Sequence, residues 1–213
     1  MQSPFSNAQP LVAASRSTDA RFGYERYIIK RKAMQAFGAT LYLYGPDEQL
    51  IMWGQRKAFK LKEDLRFFND DTQAQEIIRV AARNYIDFSA AYDVFDSQTN
   101  QKIGAFKRKG LKSSLVQDSW IVLDTQDREI GQVQEDSAFL GLLRRYVDYV
   151  SLILPQKYTA TMNGAIVGHF ARHKNFFSSR MDLDFSADTS ALLDRRMGLA
   201  MAMLLEVVET KGH

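Results

Sequence analysis

The sequence predicts a mainly β protein, a closed antiparallel barrel of about twelve strands around a central hydrophobic C-terminal helix. Three observations carry this expectation. Strand, polar turn and returning strand recur along most of the chain. A strongly helical segment near the C-terminal end has no polar side chain from Met197 to Leu205. A ring of about twelve strands encloses a space too wide for side chains alone to fill, since about eight already reach that limit. A helix apolar on every side belongs in a core or a membrane. Nine residues at 1.5 Å each cover only about 14 Å, against the ~20 residues needed to cross a bilayer. The segment reads as a plug.

The elements follow in order. Residues 1–22, rich in Ser, Ala and Gln, predict a disordered tail, and 23–213 a single barrel domain. A strand over 24–32 comes first. Four hairpins then share one pattern, in which an aliphatic residue and a glycine stand early in the returning strand: 40–44 turning into 50–54, 91–95 into 102–104, 120–124 into 129–131, and 158–162 into 166–168. Asn163-Gly164 is the strongest of these turn signals. A glycine early in a returning strand suggests a bend or close backbone approach. Further strands are expected over 57–68, 74–82, 106–115 and 175–185. The helix is expected over about 190–209, with Gly198, Ala200 and Ala202 thin enough for the wall to approach. Its charged ends, Asp194, Arg195 and Arg196 before and Glu206 and Glu209 after, should emerge at the two rims.

One segment departs from the meander. In 137–151 the polar positions form a helical stripe and the rest a wide apolar sector. It reads either as an amphipathic cover over one barrel end or as an interfacial element. In the second case Phe139 and Leu143 would enter a membrane surface, and Arg144 and Arg145 would meet phosphates.

Composition narrows the function. The chain has 213 residues, 46% hydrophobic and 25% charged, with a formal net charge of +3. It has no cysteine and three histidines, which excludes disulfides and thiolate chemistry and leaves little for a histidine-based metal site. The first residues carry neither a basic nor an apolar leader region, so a cytoplasmic location is the expectation. No nucleophile elbow, phosphate loop or dinucleotide fingerprint is present. The alternation around His169 and His173 accounts for both as one polar strand face. A non-enzyme without cofactor is expected. Charge is clustered rather than abundant: Lys57, Lys60 and Lys62, then Lys107, Arg108, Lys109 and Lys112, then Arg172, His173 and Lys174, each group following one of the recurrent glycines. If the barrel gathers these on one flank or rim, they form a surface for anionic headgroups. Solubilising edge protection is the competing reading. No nucleic-acid motif accompanies them.

A family resemblance adds to this. Its marks are the basic strand Tyr27-Ile-Ile-Lys-Arg-Lys32, the paired hairpins with Asp, a polar turn and Ile-Gly, and Asp118-Ser-Trp120. Leu154-Pro-Gln-Lys-Tyr158, Met181-Asp-Leu-Asp-Phe185 and the helix entry Leu193-Asp-Arg-Arg-Met197 complete the series. In this order they resemble the LURP-one-related family, part of the tubby C-terminal-like superfamily that also holds the phospholipid scramblases, over about residues 24–209. The resemblance implies the same twelve-stranded barrel around a helix. It also implies phosphoinositide binding through basic patches in tubby-type members and calcium-dependent lipid movement in scramblase-type ones. A calcium loop would draw on Asp182, Asp184 and Asp188, spaced by two with Ser186 between them. Ala187 stands where that loop wants glycine and Leu193 where it wants glutamate. A polar strand face running into a helix cap at Asp188 or Ser190 accounts for the same residues.

The expected function is a cytoplasmic, monomeric barrel without transmembrane span that attaches peripherally to anionic membrane lipids through a basic flank. The alternative is a structural or protein-interaction domain with an unknown protein partner and no lipid role. Scramblase-like lipid movement is the remote alternative.

Overall fold

Alternation of apolar and polar residues builds the wall of this protein, because successive side chains of a strand point to opposite faces. The computed structural model describes residues 17, 19–34, 38–57, 64–83, 91–109, 119–136, 155–174 and 178–208. Twelve strands follow one another: β1 (Arg26–Met34), β2 (Gly38–Tyr44), β3 (Leu50–Lys57), β4 (Asp64–Phe68), β5 (Glu76–Ala82), β6 (Ala91–Asp96), β7 (Gln101–Arg108), β8 (Ser119–Leu123), β9 (Glu129–Glu135), β10 (Gln156–Met162), β11 (Ala165–Lys174) and β12 (Ser178–Asp184). Each pairs antiparallel with its neighbours in the chain, and β1 pairs with β12 to close the barrel. One helix, α1 (Arg195–Val208), follows the last strand.

Every strand gives the inner wall at least one buried apolar side chain, from Ile29 on β1 and Leu41 on β2 round to Phe170 on β11 and Met181 on β12. Against them lies α1, buried from Arg196 to Val207. The expected plug is in place, with Ala200 and Ala202 wholly buried and the wall close by. A Cβ on Gly198 would stand 2.7 Å from the ring of Phe185, and one on Gly104 would stand 2.6 Å from Met197 Cε and 2.8 Å from the Leu123 carbonyl oxygen. Only glycine admits such approaches without displacing a neighbour. Among the described residues no helix is long and apolar enough to cross a membrane.

The aliphatic residue before the recurrent glycine has a structural use. Where β6 meets β7, β8 meets β9 and β10 meets β11, the register slips by one residue, at Ile103, Ile130 and Val167, each followed by its glycine. Such a bulge adds local twist and bend, which a closing sheet requires. The two-residue turn at Asn163 and Gly164 takes positive φ at both, 50° and 83°, as a tight hairpin demands.

Several boundaries differ from expectation. The strands expected over 57–68 and 106–115 are divided differently: β3 ends at Lys57 and β4 starts at Asp64, while β7 runs through Gly104 as one strand to Arg108. At the end of the expected tail, Ala20–Phe22 form a turn of 3-10 helix capped by Asp19, and Phe22 joins the core; residues 1–16 of that tail lie outside the described residues. The helix cap is neither Asp188 nor Ser190. Asp194 accepts from the Arg196 backbone N–H at 2.9 Å, while Asp188 holds the preceding turn through Leu192 N and Leu193 N. The segment 137–151 lies outside the described residues.

Of the charged ends of α1, Arg196 and Glu206 do not emerge at the rims but are buried and held by the wall, Asp194 and Arg195 are half-buried, and Glu209 lies outside the described residues. Arg196 reaches Asp96 of β6 at 2.6 Å as well as Asp194, and Glu206, wholly buried, meets Arg172 of β11 at 3.2 Å and Ser179 of β12 at 2.9 Å. A cation near the first turn and an anion near the last both oppose the helix dipole. Ion pairs with the wall offset this, so each end of α1 has its own partner and the helix can be seated in one direction only.

On the outer wall, Asp127 of the β8–β9 turn accepts from Lys102 Nζ at 2.7 Å and from Arg83, which also pairs with Asp93. The hydrogen bonds from Arg83 and then Lys102 pull the Asp127 carboxyl from 3.8 down to about 2. A depressed carboxyl stabilises the fold above its unfolded value and ceases to do so as pH falls through the folded one. Asp127→Asn is therefore expected to lower the thermal midpoint slightly at neutral pH and to flatten its decline between pH 3.8 and about 2. Parallel midpoint curves for the two proteins would show that the pair contributes nothing.

Candidate functional site

Strand direction alternates, so the connections after the even-numbered strands leave one end of the barrel and those after the odd-numbered strands leave the other. The two rims differ in chemistry. At the first, the turn rim, the connections carry Asp47, Glu48, Asp70, Asp71, Asp124, Asp127, Asp188 and Asp194 against Arg128. Turn formation accounts for several of these acids. Asp70 accepts from Thr72 N, Asp96 from Gln98 N and Asp124 from Gln126 N, each bridging its own turn at 2.8–3.0 Å.

At the opposite rim cations outnumber acids among the described residues, the acids being Asp64, Glu135 and the exposed Asp136. Lys57 ends β3, Lys107 and Arg108 end β7 with Lys109 after them, and Arg172, His173 and Lys174 end β11, so all three sequence clusters reach it. They do not share a flank. In the closed order β3, β7 and β11 stand four strands apart, and the clusters ring the mouth instead. Lys32, Lys107, Lys109, Lys157 and His173 are exposed there. Lys60, Lys62 and Lys112, and with them Phe139, Leu143, Arg144 and Arg145, lie outside the described residues.

Arg172 is a correction. It shares the inward phase of Phe170, is 1% exposed and faces Glu206 of α1, so it cannot meet a headgroup at the surface. Arg108 likewise points inward, its guanidinium 5.9 Å from the centre of the Trp120 ring.

Alternation missed by the cluster reading places further polar groups on the inner face of this rim. Arg31 follows Tyr27 and Ile29 inward and lies 3.9 Å from Glu206. Glu135, 6% exposed, accepts from Gln156 Nε2 at 2.7 Å. Cross-strand register sets Arg108 beside Trp120, Gln156 beside Arg172 and Ser179 beside Arg31. A polar arc thus runs from β7 through β8 to β12 and on to β1, above a wall that is apolar farther in.

The aspartates of the calcium reading do not lie together in one loop. Asp182 and Asp184 sit on the outer face of β12, not in a loop, and side-chain or backbone nitrogens engage them: Arg180 and His173 hold Asp182, Arg26 and Ser186 N hold Asp184. The side-chain hydrogen bond to Ser186, before any other cause, lowers the Asp184 carboxyl. Asp188 is buried beyond the strand end, paired with Arg195 at 3.0 Å. Among the described residues no three acids or histidines converge as a metal would require.

A family model described as LURP-one-related matches residues 48–206, from the β2–β3 turn to the buried glutamate of α1. Comparison with curated proteins finds no match.

Proposed function

The chain belongs to the LURP-one-related family, and from that premise we propose a non-enzymatic barrel that docks end-on, by its ring of lysines, against the anionic headgroups of a membrane surface. The carrying observation is the segregation of charge between the rims: acids in the even-numbered turns, exposed Lys32, Lys107, Lys109 and Lys157 at the opposite mouth. A barrel with a net charge of only +3 gains little attraction from its total. Polarised along its axis, it approaches a negative surface with one end. The interior favours the same reading over catalysis, since α1 fills the space where a barrel enzyme or carrier would hold a small molecule. The protein then works in the cytoplasm as a peripheral membrane protein.

Each lysine near an anionic membrane contributes about 1 kcal/mol, so Lys107→Glu with Lys109→Glu is expected to weaken binding to phosphatidylserine vesicles by about thirtyfold or more. Both side chains are exposed, and the thermal midpoint should stay unchanged. Co-sedimentation across a salt series is the test, because screening at about 8 Å under physiological salt must release the protein. Wild-type protein that ignores such vesicles even at low salt, or a double variant that binds them equally, would leave the protein-interaction reading in its place.

A further inference from the structure

Beside the entry of α1, at the turn rim, the barrel carries a cavity of about 320 Å³ that opens to solvent, a size that admits a small ligand or one long side chain. It lies between the turn Ala20–Phe22 and the loop that joins β12 to α1. Its apolar lining is Phe22, Phe185 and Leu193, all members of the core. Most of its charge is already matched. Arg195 pairs with Asp188 at 3.0 Å and lies over the Phe185 ring at 4.6 Å, and both carboxylate oxygens of Asp194 accept from Arg196 Nε. Glu25 is different. It lines the same cavity, is exposed, and among the described residues its carboxylate has no hydrogen bond or ion pair. One wall is held in shape beforehand. Ala191 keeps a left-handed φ of 48° because the Asp188 carbonyl accepts from its N–H and the Asp188 carboxylate accepts from Leu192 N and Leu193 N.

We propose that this cavity receives a lysine side chain from a basic, extended segment of another protein. Lysine matches the lining at both ends: its aliphatic stem lies against Phe22, Phe185 and Leu193, and its ammonium meets the Glu25 carboxylate. The hydroxyl of Thr189, exposed at the same cavity, offers a further acceptor. The surrounding rim selects the kind of partner. Asp47, Glu48 and Asp71 are exposed there, and their field attracts the neighbouring cations of a polybasic segment. A free amine would gain from Glu25 alone, whereas a segment engages several acids at once, so the occupant is a protein chain. The lysine ring is at the other end of the barrel, and the inference does not rest on the membrane reading above.

Fluorescently labelled hexalysine is the probe and its anisotropy the readout, at low salt and mildly acidic pH, which keeps every amine charged. The comparison peptide is the hexamer of 2,4-diaminobutyric acid, equally charged but with stems two methylenes shorter. Hexalysine is expected to bind about tenfold more tightly, because only its stem covers the apolar lining. Glu25→Gln should weaken hexalysine about fivefold, and Asp71→Asn, which removes the same charge from the rim outside the cavity, by less than about twofold. Thr189→Trp, which fills the cavity, should bring the two peptides to the same affinity. All three positions are exposed, so the thermal midpoint should stay unchanged. Two peptides bound alike by the wild-type protein, or Glu25→Gln and Asp71→Asn with equal effects, would mean that the field of the rim acts without the cavity, and either overturns the proposal. A protein that ignores hexalysine even at low salt overturns it as well. Cadaverine that displaces hexalysine at equal concentration would give the cavity to free amines instead of a protein partner.

Discussion

Ala202→Lys is expected to yield no folded protein. Ala202 has no exposed surface and sits midway along α1, so either end of the helix is about 10 Å away along the axis. A lysine there cannot carry its ammonium to water past Met201, Met203 and the wall. An unpaired charge held in such a place costs several kcal/mol at least, a large part of the ~5–15 kcal/mol that holds a typical domain together. Expression with Ala202→Gly as companion tests it: the glycine variant, costing about 1 kcal/mol in a helix interior, should remain folded and only melt earlier. A soluble, monomeric lysine variant with the wild-type midpoint would mean that α1 is not the plug.

The second large effect concerns the far end of the same helix. Arg172→Met removes the guanidinium that faces Glu206 at 3.2 Å and leaves a wholly buried carboxylate with Arg31 at 3.9 Å and the hydroxyl of Ser179. Removing one partner of a buried pair typically costs about 3–5 kcal/mol, whereas replacing both with apolar groups is often close to neutral. The single variants Arg172→Met and Glu206→Leu should thus each destabilise strongly, and the double variant should recover most of the loss. Urea unfolding of the four proteins measures the coupling. Additive losses, or singles costing less than ~1 kcal/mol each, would show that the pair does not hold the helix end.

Much of the architecture was legible because it rests on local signals. The turn at Asn163-Gly164, the aspartates that close the longer turns and the aliphatic residue before each recurrent glycine are read within a few residues of one another. They mark hairpins whose strands are neighbours in the ring. The helix was legible from its unbroken apolar run. What escaped was the direction of side chains within basic stretches. In Tyr27-Ile-Ile-Lys-Arg-Lys32 the three cations read as one surface run, yet strict alternation from the buried Tyr27 and Ile29 carries Arg31 inward. The same count from Phe170 carries Arg172 inward. An inward arginine is costly until a partner is known, and that partner, Glu206, lies on an element distant in sequence from Arg31 and seated there only once the barrel closes. Ring closure likewise decided rim against flank: three similar clusters look alike along the chain but leave the sheet a third of the circumference apart.

The topology also sets an order of events during synthesis. Every pairing but one joins strands adjacent in the chain, so hairpins from β1 to β12 can form as they leave the ribosome. Their inner faces are apolar, and the element that covers them is made only after all twelve strands. At roughly 5–20 residues per second, the stretch from Asp184 at the end of β12 to Val208 at the end of α1 takes a few seconds. Through that interval the nascent chain presents a nearly complete sheet with its hydrophobic side open and its first and last strands unjoined. Closure waits for the helix, and a ribosome that stalls between the codons of β12 and those of α1 releases an open, adhesive sheet that holdase chaperones are suited to catch.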